Sequence, residues 1–488
     1  MNFIDKAIDF ISPEAGAKRA RARIISKLYG DQFRKYEAAQ RGRRTAGLPR
    51  VDGSANTETR IDLVALRAGS RDMGRNNPYA KKAIQSITAN TVGTGIQPSV
   101  QVTGRSKAKI AAIKKAWKEW AESKDCDFDG QKNIYGIQRL AMRTIAEAGE
   151  VLILKRRAKT KSKIPIQLQI LEPDYLDHSK DSKNFSRDGA GGGYITQGVE
   201  YNKQGKRVGY WIYKNHPGEY GNYGASEFVS ADNVIHIYEV LRPGQVRGVP
   251  FGSSAMLRLK DYDDYEDAEV VRQKIAACFV AFVQDADPGL GGGGSSDAMV
   301  EKLEPGVIEH LPPGKTVNFA TPPTTSNYES FSRKILQGIS AGYGTTYEAI
   351  SGDLSKVNFS SGRMGWLEMQ RQIAIWQYDM LIPMMCDTVW DWFMDGAEVG
   401  ALFNSVGVSV SWTPPRREMI DPVKETAAII KQVRAGLKSY SEAVRELGYE
   451  PTEVIAELIE DFKMINEGKL TLDIDGKIPE NQQPAQAK

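Results

Sequence analysis

The chain has 488 residues, 41% hydrophobic and 26% charged, the balance of an ordinary soluble protein with room for about three domains and a sizeable core. A net charge of +4 gives no global basic character that would by itself point to nucleic acid. The three cysteines, Cys126, Cys278 and Cys386, are odd in number and far apart, which excludes a disulfide framework and predicts a reducing compartment.

The N-terminus, MNFIDKAIDFISPEAG, is amphipathic and lacks the charge order and cleavage site of a signal peptide, so synthesis in the cytosol is expected. From Lys18 to Arg50 there are eleven Lys or Arg against two acids, Asp31 and Glu37. The start of this arm reads as helix, with Ser12 to cap, Pro13 in the first turn and Glu14 at the positive end of the dipole. Its end, RGRRTAGLPRVDGSANTETR, reads as loop. Such an arm is a solvated face, a docking tail or a DNA contact.

Between Leu63 and Ile96, apolar residues fall at helical spacing on two helices parted by the NNP turn. A third helix, KIAAIKKAWKEWAESKD, puts Ile113, Trp117 and Trp120 on one face, as core or interface anchors. IYGIQRLAMRTIAEAGEVLILKRR runs from helix into strand, with the break at Gly149. From about 151 to 240 the period changes to that of strands, in VLILKRR, IQLQILEP, GGYITQGVEYN, RVGYWIYKN and NVIHIYEV, with a hairpin at Gln204-Gly205. His178, His216 and His236 lack metal-site spacing, and His236 reads as an ordinary strand residue.

Residues 253–283 contain no Gly or Pro and predict one helix of about 31 residues, spanning about 46 Å. Tyr262, Tyr265, Ala268, Val271, Ile275 and Phe279 form an apolar stripe that calls for a long neighbour. Asp263, Asp264 and Asp267 lie together on another side. GLGGGGSS is a flexible connector. Residues 300–323 are strand-like between prolines. A helix follows from Asn327 to Gly342, then the polar loop SGDLSKVNFSSGR (351–363), then a long helix through Trp366, Trp376 and Trp390 that Pro383 should kink or divide. The longest apolar run, IAACFVAFV, falls well short of the roughly 20 residues that span a membrane.

Chemistry-bearing motifs are scarce. There is no GxxxxGK[ST], GTGIQP lacks the third glycine of a dinucleotide fingerprint, and no GxSxG, HExxH or paired-Cys motif occurs. The residues predict no catalysis, no cofactor and no metal. An acidic metal site at Asp263 and Asp264, giving a DNA-processing enzyme, is one alternative. A monomeric nucleic-acid-binding protein using the 18–50 arm is another.

Several stretches, in order, resemble the portal proteins of tailed bacteriophages, specifically the lambda-like portal family, from about residue 5 to about residue 420. They are SPEAGAKRARAR, RNNPYAKKAIQSITANTVGTGIQP, GEVLILKRR, LQILEPDYLD, GVEYNKQGKRVGYWIY, ADNVIHIYEVLRPGQVRGVPFGSSAM and YEAISGDLSKVNFSSGRMGWLEMQR. The resemblance implies an α+β, mainly helical portal fold. Its parts are a basic arm (1–60), a mixed α/β wing (61–250), a stem helix (251–283), a small β-containing clip (284–326) and a second stem helix (327–345). A tunnel loop (346–363), a return with a long helix (364–420), a helical crown (421–473) and a disordered tail (474–488) follow.

The implied assembly is a ring of about twelve copies at one vertex of the virion capsid. Double-stranded DNA passes it in packaging and ejection, without sequence specificity. The implied partners are the large terminase subunit, the major capsid protein, scaffold and a head-completion or neck protein, with no membrane. In the tunnel loop, Ser355, Lys356, Asn358, Ser360, Ser361 and Arg363 are expected at the DNA, one or two cations per copy guiding phosphate without gripping it. Asp263, Asp264 and Asp267 either repel phosphate in the channel or pair with Arg258, Lys260 or Arg272 of a neighbour. Glu301, Lys302, Glu304, His310 and Lys315 are expected on the clip, facing terminase or adaptor.

Overall fold

The computed structural model describes residues 53–104, 106–185, 192–219, 224–277, 281–285, 315–319, 327–416 and 418–468, besides single positions 18, 21 and 43, with backbone alone at 275–277, 281–285 and 315–319. The chain divides into Met1–Ser54 and Ala55–Lys488, and every element below belongs to the second unit. The expectations for Glu301, Lys302, Glu304 and His310, for the tail and for nearly all of the basic arm fall outside the described residues, but the loop expected over 41–60 is helix from Ala55 onward.

Helix α1 (Ala55–Asn76) buries Leu63, Arg67, Ser70 and Gly74, a spacing that draws one stripe along it. The NNP turn works as a cap. Asn77 accepts hydrogen bonds on its side-chain oxygen from the amides of Tyr79 (3.0 Å) and Ala80 (2.9 Å), and Pro78 opens α2 (Pro78–Thr91). After β1 (Gln97–Val102), α3 (Lys107–Trp120) buries Ile113, Trp117 and Trp120, as its spacing predicts. The Trp120 indole donates to the Ile166 carbonyl at 2.7 Å, so its one polar atom is satisfied in the core.

Helix α4 (Ile134–Ala148) begins at a capping Asn133 and ends at Gly149, whose φ of 90° only glycine adopts freely. The chain then enters β2 (Glu150–Arg157), the middle strand of an antiparallel sheet flanked by β3 (Ile166–Leu171) and β9 (Val234–Tyr238). A second antiparallel sheet runs in order through β4 (Ser182–Phe185), β5 (Gly193–Thr196), β6 (Val199–Tyr201), β7 (Arg207–Ile212) and β8 (Glu227–Ser230). The β6–β7 hairpin turns at Gly205 as expected. Leu152, Leu154, Leu176, Val199, Tyr210 and Ile212 join the two sheets in one apolar cluster.

The long helix expected over 253–283 is shorter. A 3₁₀ turn (Phe251–Ser254) leads into α5 (Met256–Ala277), and Ala281–Asp285 is a strand, β10, paired antiparallel with β11 (Lys315–Phe319). A short apolar run rich in aromatic and β-branched residues has no helical period of its own, and pairing with the Lys315–Phe319 strand decides its state.

Beyond it lie α6 (Tyr328–Tyr343), the short α7 (Tyr347–Ser351) and α8 (Phe359–Ile375). Pro383 breaks regularity without a gap. Trp376–Cys386 is an eleven-residue π-helical segment continuous with α9 (Asp387–Val399). Strand β12 (Val408–Thr413) returns to pair with β1, and α10 (Pro422–Arg434), α11 (Tyr440–Glu446) and α12 (Pro451–Glu467) end the described chain. The main core joins α3 to α9 through aromatic rings, Trp117 lying 5.0 Å from Phe393 and 5.4 Å from Trp390.

A methyl group on Gly149 would lie 2.5 Å from the Val249 backbone carbon, besides straining the left-handed φ. Gly149→Ala is therefore expected to cost at least about 2 kcal/mol in urea unfolding. Gly205→Ala, with positive φ and open space around it, should cost about 1 kcal/mol. Equal losses would show that backbone crowding at Gly149 contributes nothing.

Candidate functional site

The polar stretch 351–363 is not one free loop. Ser351 closes α7, Gly352 turns at a φ of 70°, and Asn358 caps α8, so Phe359–Arg363 is the first turn of a helix. Asn358 accepts from the Ser361 amide at 2.8 Å while the Ser361 hydroxyl accepts from the Asn358 amide at 3.1 Å, a reciprocal capping box. These two predicted site residues are thus committed to starting the helix. Ser360 and Arg363 are exposed on it.

The remaining loop, 352–358, is organised by Asp353, a residue the sequence reading passed over. One carboxylate oxygen accepts from the Ser355 amide (3.0 Å) and hydroxyl (2.6 Å), and the other from the Tyr347 hydroxyl (2.8 Å) and the Arg333 guanidinium. The Ser355 and Tyr347 donors, with Arg333, hold this half-buried carboxyl below the usual range. Lys356 reaches back to Glu329 on α6, at 3.0 Å, and lowers that carboxyl in turn. The Arg333, Tyr347 and Glu329 contacts tie the loop to α6 and α7, and the Ser355 bonds close it on itself. The Asp-x-Ser spacing was the available signal.

On α5 the three predicted aspartates are all exposed but differ in role. Asp263 accepts from the Asn77 side-chain amide at 2.9 Å, joining α5 to the α1–α2 turn, while Asp264 and Asp267 face solvent. The carboxylate that holds neighbours is the unpredicted Glu266, which accepts from the hydroxyls of Tyr262 (2.7 Å), Tyr79 (3.1 Å) and Tyr328 (3.3 Å). The apolar stripe of α5 is buried at Tyr262 and half-buried at Tyr265, but exposed at Ala268 and Val271. Lys315 lies in β11.

Among the described residues, three metal-capable side chains converge only at Glu172, Asp174 and His216. The expected lack of metal spacing among histidines thus meets one spatial cluster, built from residues distant in sequence. The Arg71 guanidinium bridges two of the three, 3.0 Å from Glu172 and paired with Asp174. Asp263 and Asp264 gather no third metal-capable side chain among the described residues.

A profile described as "Phage portal protein, lambda family" matches residues 41–377, more than half of the chain. The chain belongs to this family. The portal chain is also similar to a "Probable portal protein" of Halomonas phage phiHAP-1, 25% identical, covering 84% of this chain and 82% of that one. It is similar to "Portal protein B" of Escherichia phage lambda, 23% identical over 81% of this chain and 82% of that one. Among solved structures, a chain from the neck of a native gene transfer agent particle, computed with C12 symmetry, aligns at 12% identity, 80% of this chain and 93% of that one, with a TM-score of 0.47.

Within this portal chain the most demanding electrostatics are buried at the start of β2. Glu150 is fully buried. One of its oxygens takes hydrogen bonds from Arg67 and from Arg247 Nε (2.8 Å), and the other from the Gly248 amide (2.8 Å) and His236 Nε2 (2.8 Å). Burial alone would raise the carboxyl, but Arg247 and Arg67 outweigh it and hold it well below the usual range. Burial lowers Arg67 to about 10 and His236 to about 4, against the pull of Glu150 in both cases. His236, read from sequence as an ordinary strand residue, is therefore a neutral member of a buried ion cluster.

His236 stays neutral in the folded chain down to about pH 4, while the unfolded chain takes a proton near pH 6.5. Stability is then complete above about 6.5 and falls as pH drops toward 4, by about 3 kcal/mol in full. The Glu150 contribution is lost only below the usual carboxylate range. His236→Gln keeps an N–H toward Glu150 and removes the titration, so its stability should change less than half as much between pH 7 and pH 4.5 in urea titrations. Identical losses in both chains would remove His236 from the linkage.

Proposed function

We propose that copies of this chain close into a ring of about twelve at one vertex of a phage capsid and that double-stranded DNA passes through its centre. The observation that carries this reading is the family match across residues 41–377, which includes α1, the sheets, α5, α6 and the loop before α8. The two relatives named above are themselves described as portal proteins.

In this reading the mixed α/β part from α1 to β9 is the wing, and α5 and α6 form the stem. The β10–β11 pair belongs to a clip that docks the large terminase subunit during packaging and a head-completion protein afterwards. Scaffold and major capsid protein meet the ring from outside, and α10–α12 form the crown. Motive force comes from the terminase, so this chain needs no nucleotide site and acts as conduit and platform rather than enzyme. The ring assembles in the bacterial cytoplasm and stays in the virion.

Lys356 and Arg363 are the cations offered to phosphate beside the axis. Lys356 is already paired with Glu329, which limits how tightly any one copy grips. Exposed Asp267 discourages adhesion farther along the stem, over a range of about 8–10 Å in physiological salt.

Native mass spectrometry of the 54.0 kDa chain, with scaffold supplied, should show a species near about 650 kDa. A neighbouring count changes the symmetry alone, whereas a chain that stays monomeric at every concentration defeats the ring. Reversing charge at Lys356→Glu with Arg363→Glu should leave the ring mass unchanged and lower the yield of DNA-filled capsids about tenfold. Unchanged filling would remove the loop from the DNA path.

A further inference from the structure

Two helices carry an outward stripe that none of the described residues covers. On α5, Leu257, Asp261, Asp264, Ala268 and Val271 follow a spacing of four and three, which keeps them on one narrow arc, and all five are exposed. The apolar ends stand out, Leu257 at 78% and Val271 at 53% exposure. This arc lies opposite buried Leu259 and Tyr262, by which α5 packs on its own chain.

Helix α8 has the same arrangement with the charge inverted. Met364, Leu367, Arg371 and Ile375 repeat the spacing of three and four, at 69% exposure for Met364, 42% for Leu367 and 47% for Ile375. Its other face buries Met369 and Ile373. A surface helix ordinarily shows one apolar face, so an apolar arc on each side indicates burial on both.

The stripes match in length and sign. Leu257 to Val271 spans about 21 Å and Met364 to Ile375 about 17 Å. Each has apolar ends and a charged middle, two carboxylates one turn apart on α5 and a guanidinium on α8. Flanking charges are complementary as well, with Lys260 beside the first stripe and Glu368 beside the second. Arg371 is paired with Glu368 at 2.8 Å, but both are about three-quarters exposed, so this pair holds it weakly and leaves donors for a second carboxylate.

We propose that the outer stripe of α8 docks on the outer stripe of α5 of the next copy, with Arg371 set between Asp261 and Asp264 and the apolar ends closing over Leu257 and Val271. The contact joins unlike surfaces of identical chains, which a closed ring requires. It deepens the ring reading and rests on it. It also gives Asp264 a structural partner instead of a place on the channel wall.

Charge exchange tests it. Arg371→Glu alone, and Asp261→Arg with Asp264→Arg alone, should each raise the concentration for half-assembly about tenfold or more in native mass spectrometry. Circular dichroism and melting should match the parent chain. Mixed in equal amounts, the two variants should recover rings containing both in equal number, because each interface then pairs opposite charges again. Rings formed normally by either variant alone, or folded variants that fail to recover on mixing, overturn the contact. A parent chain that never leaves the monomer defeats the ring itself, whereas parent rings with insensitive variants defeat only this pairing. If a reversal unfolds the chain, a double-mutant cycle of Arg371→Ala and Asp264→Ala on half-assembly decides instead, additive losses overturning the contact.

Discussion

A carboxylate with no access to water governs the architecture of this chain. Glu150 stands at the junction of α4 and β2, and leaving its charge unpaired there would cost several kcal/mol. The solution draws on three separate parts of the sequence. Arg67 comes from α1, His236 from β9, and Arg247 with the Gly248 amide from the segment that leads to α5. Arg247 also donates to the Gln197 and Pro173 carbonyls, so the same ion reaches the five-stranded sheet and the turn after β3. Misplacing any one element strands a charge, which makes the cluster a check on the whole arrangement. Gly149 supplies the turn that points Glu150 inward, so helix end and ion cluster are a single device.

Much of the fold was legible because it rests on local rules. The NNP cap, the Ile113, Trp117, Trp120 stripe, the glycine stop at 149 and the hairpin at Gly205 are all signals carried within a few residues. What escaped is non-local. GEVLILKRR reads as a strand with a polar first residue, and nothing nearby shows that its glutamate meets two arginines from far along the chain. Glu266 is hidden likewise inside an acidic run, where only packing separates it from Asp264. The end of α5 was misread because an apolar run of that length fits either state and its strand partner lies some thirty residues on.

The polar loop was misjudged in extent rather than in character. Asp353-x-Ser355 and Asn358-x-x-Ser361 are both local hydrogen-bonding patterns, and both shorten the free segment. Fewer side chains of this stretch than its composition suggests are therefore available to the DNA contact proposed for it. Ser355, Asn358 and Ser361 serve backbone geometry first, which leaves Lys356 and Arg363 as the cationic side chains of the stretch. Family membership settles what kind of protein this is, but which side chains do its work is a matter of what the local structure has already used.

The π-helical segment between α8 and α9 gives the chain a mechanical property. Pro383 lies within it and offers no amide, while the buried Gln377 side chain clamps the Thr91 carbonyl at 2.7 Å. A π-turn holds more residues than an α-turn and advances less per residue, so pitch and twist are coupled along these eleven positions. Rewinding one turn into α-helix would push α8 outward along its axis and rotate it against the aromatic core that anchors α9. Such a rewinding would make the joint between the two helices a screw, turning axial displacement at the loop end of α8 into rotation.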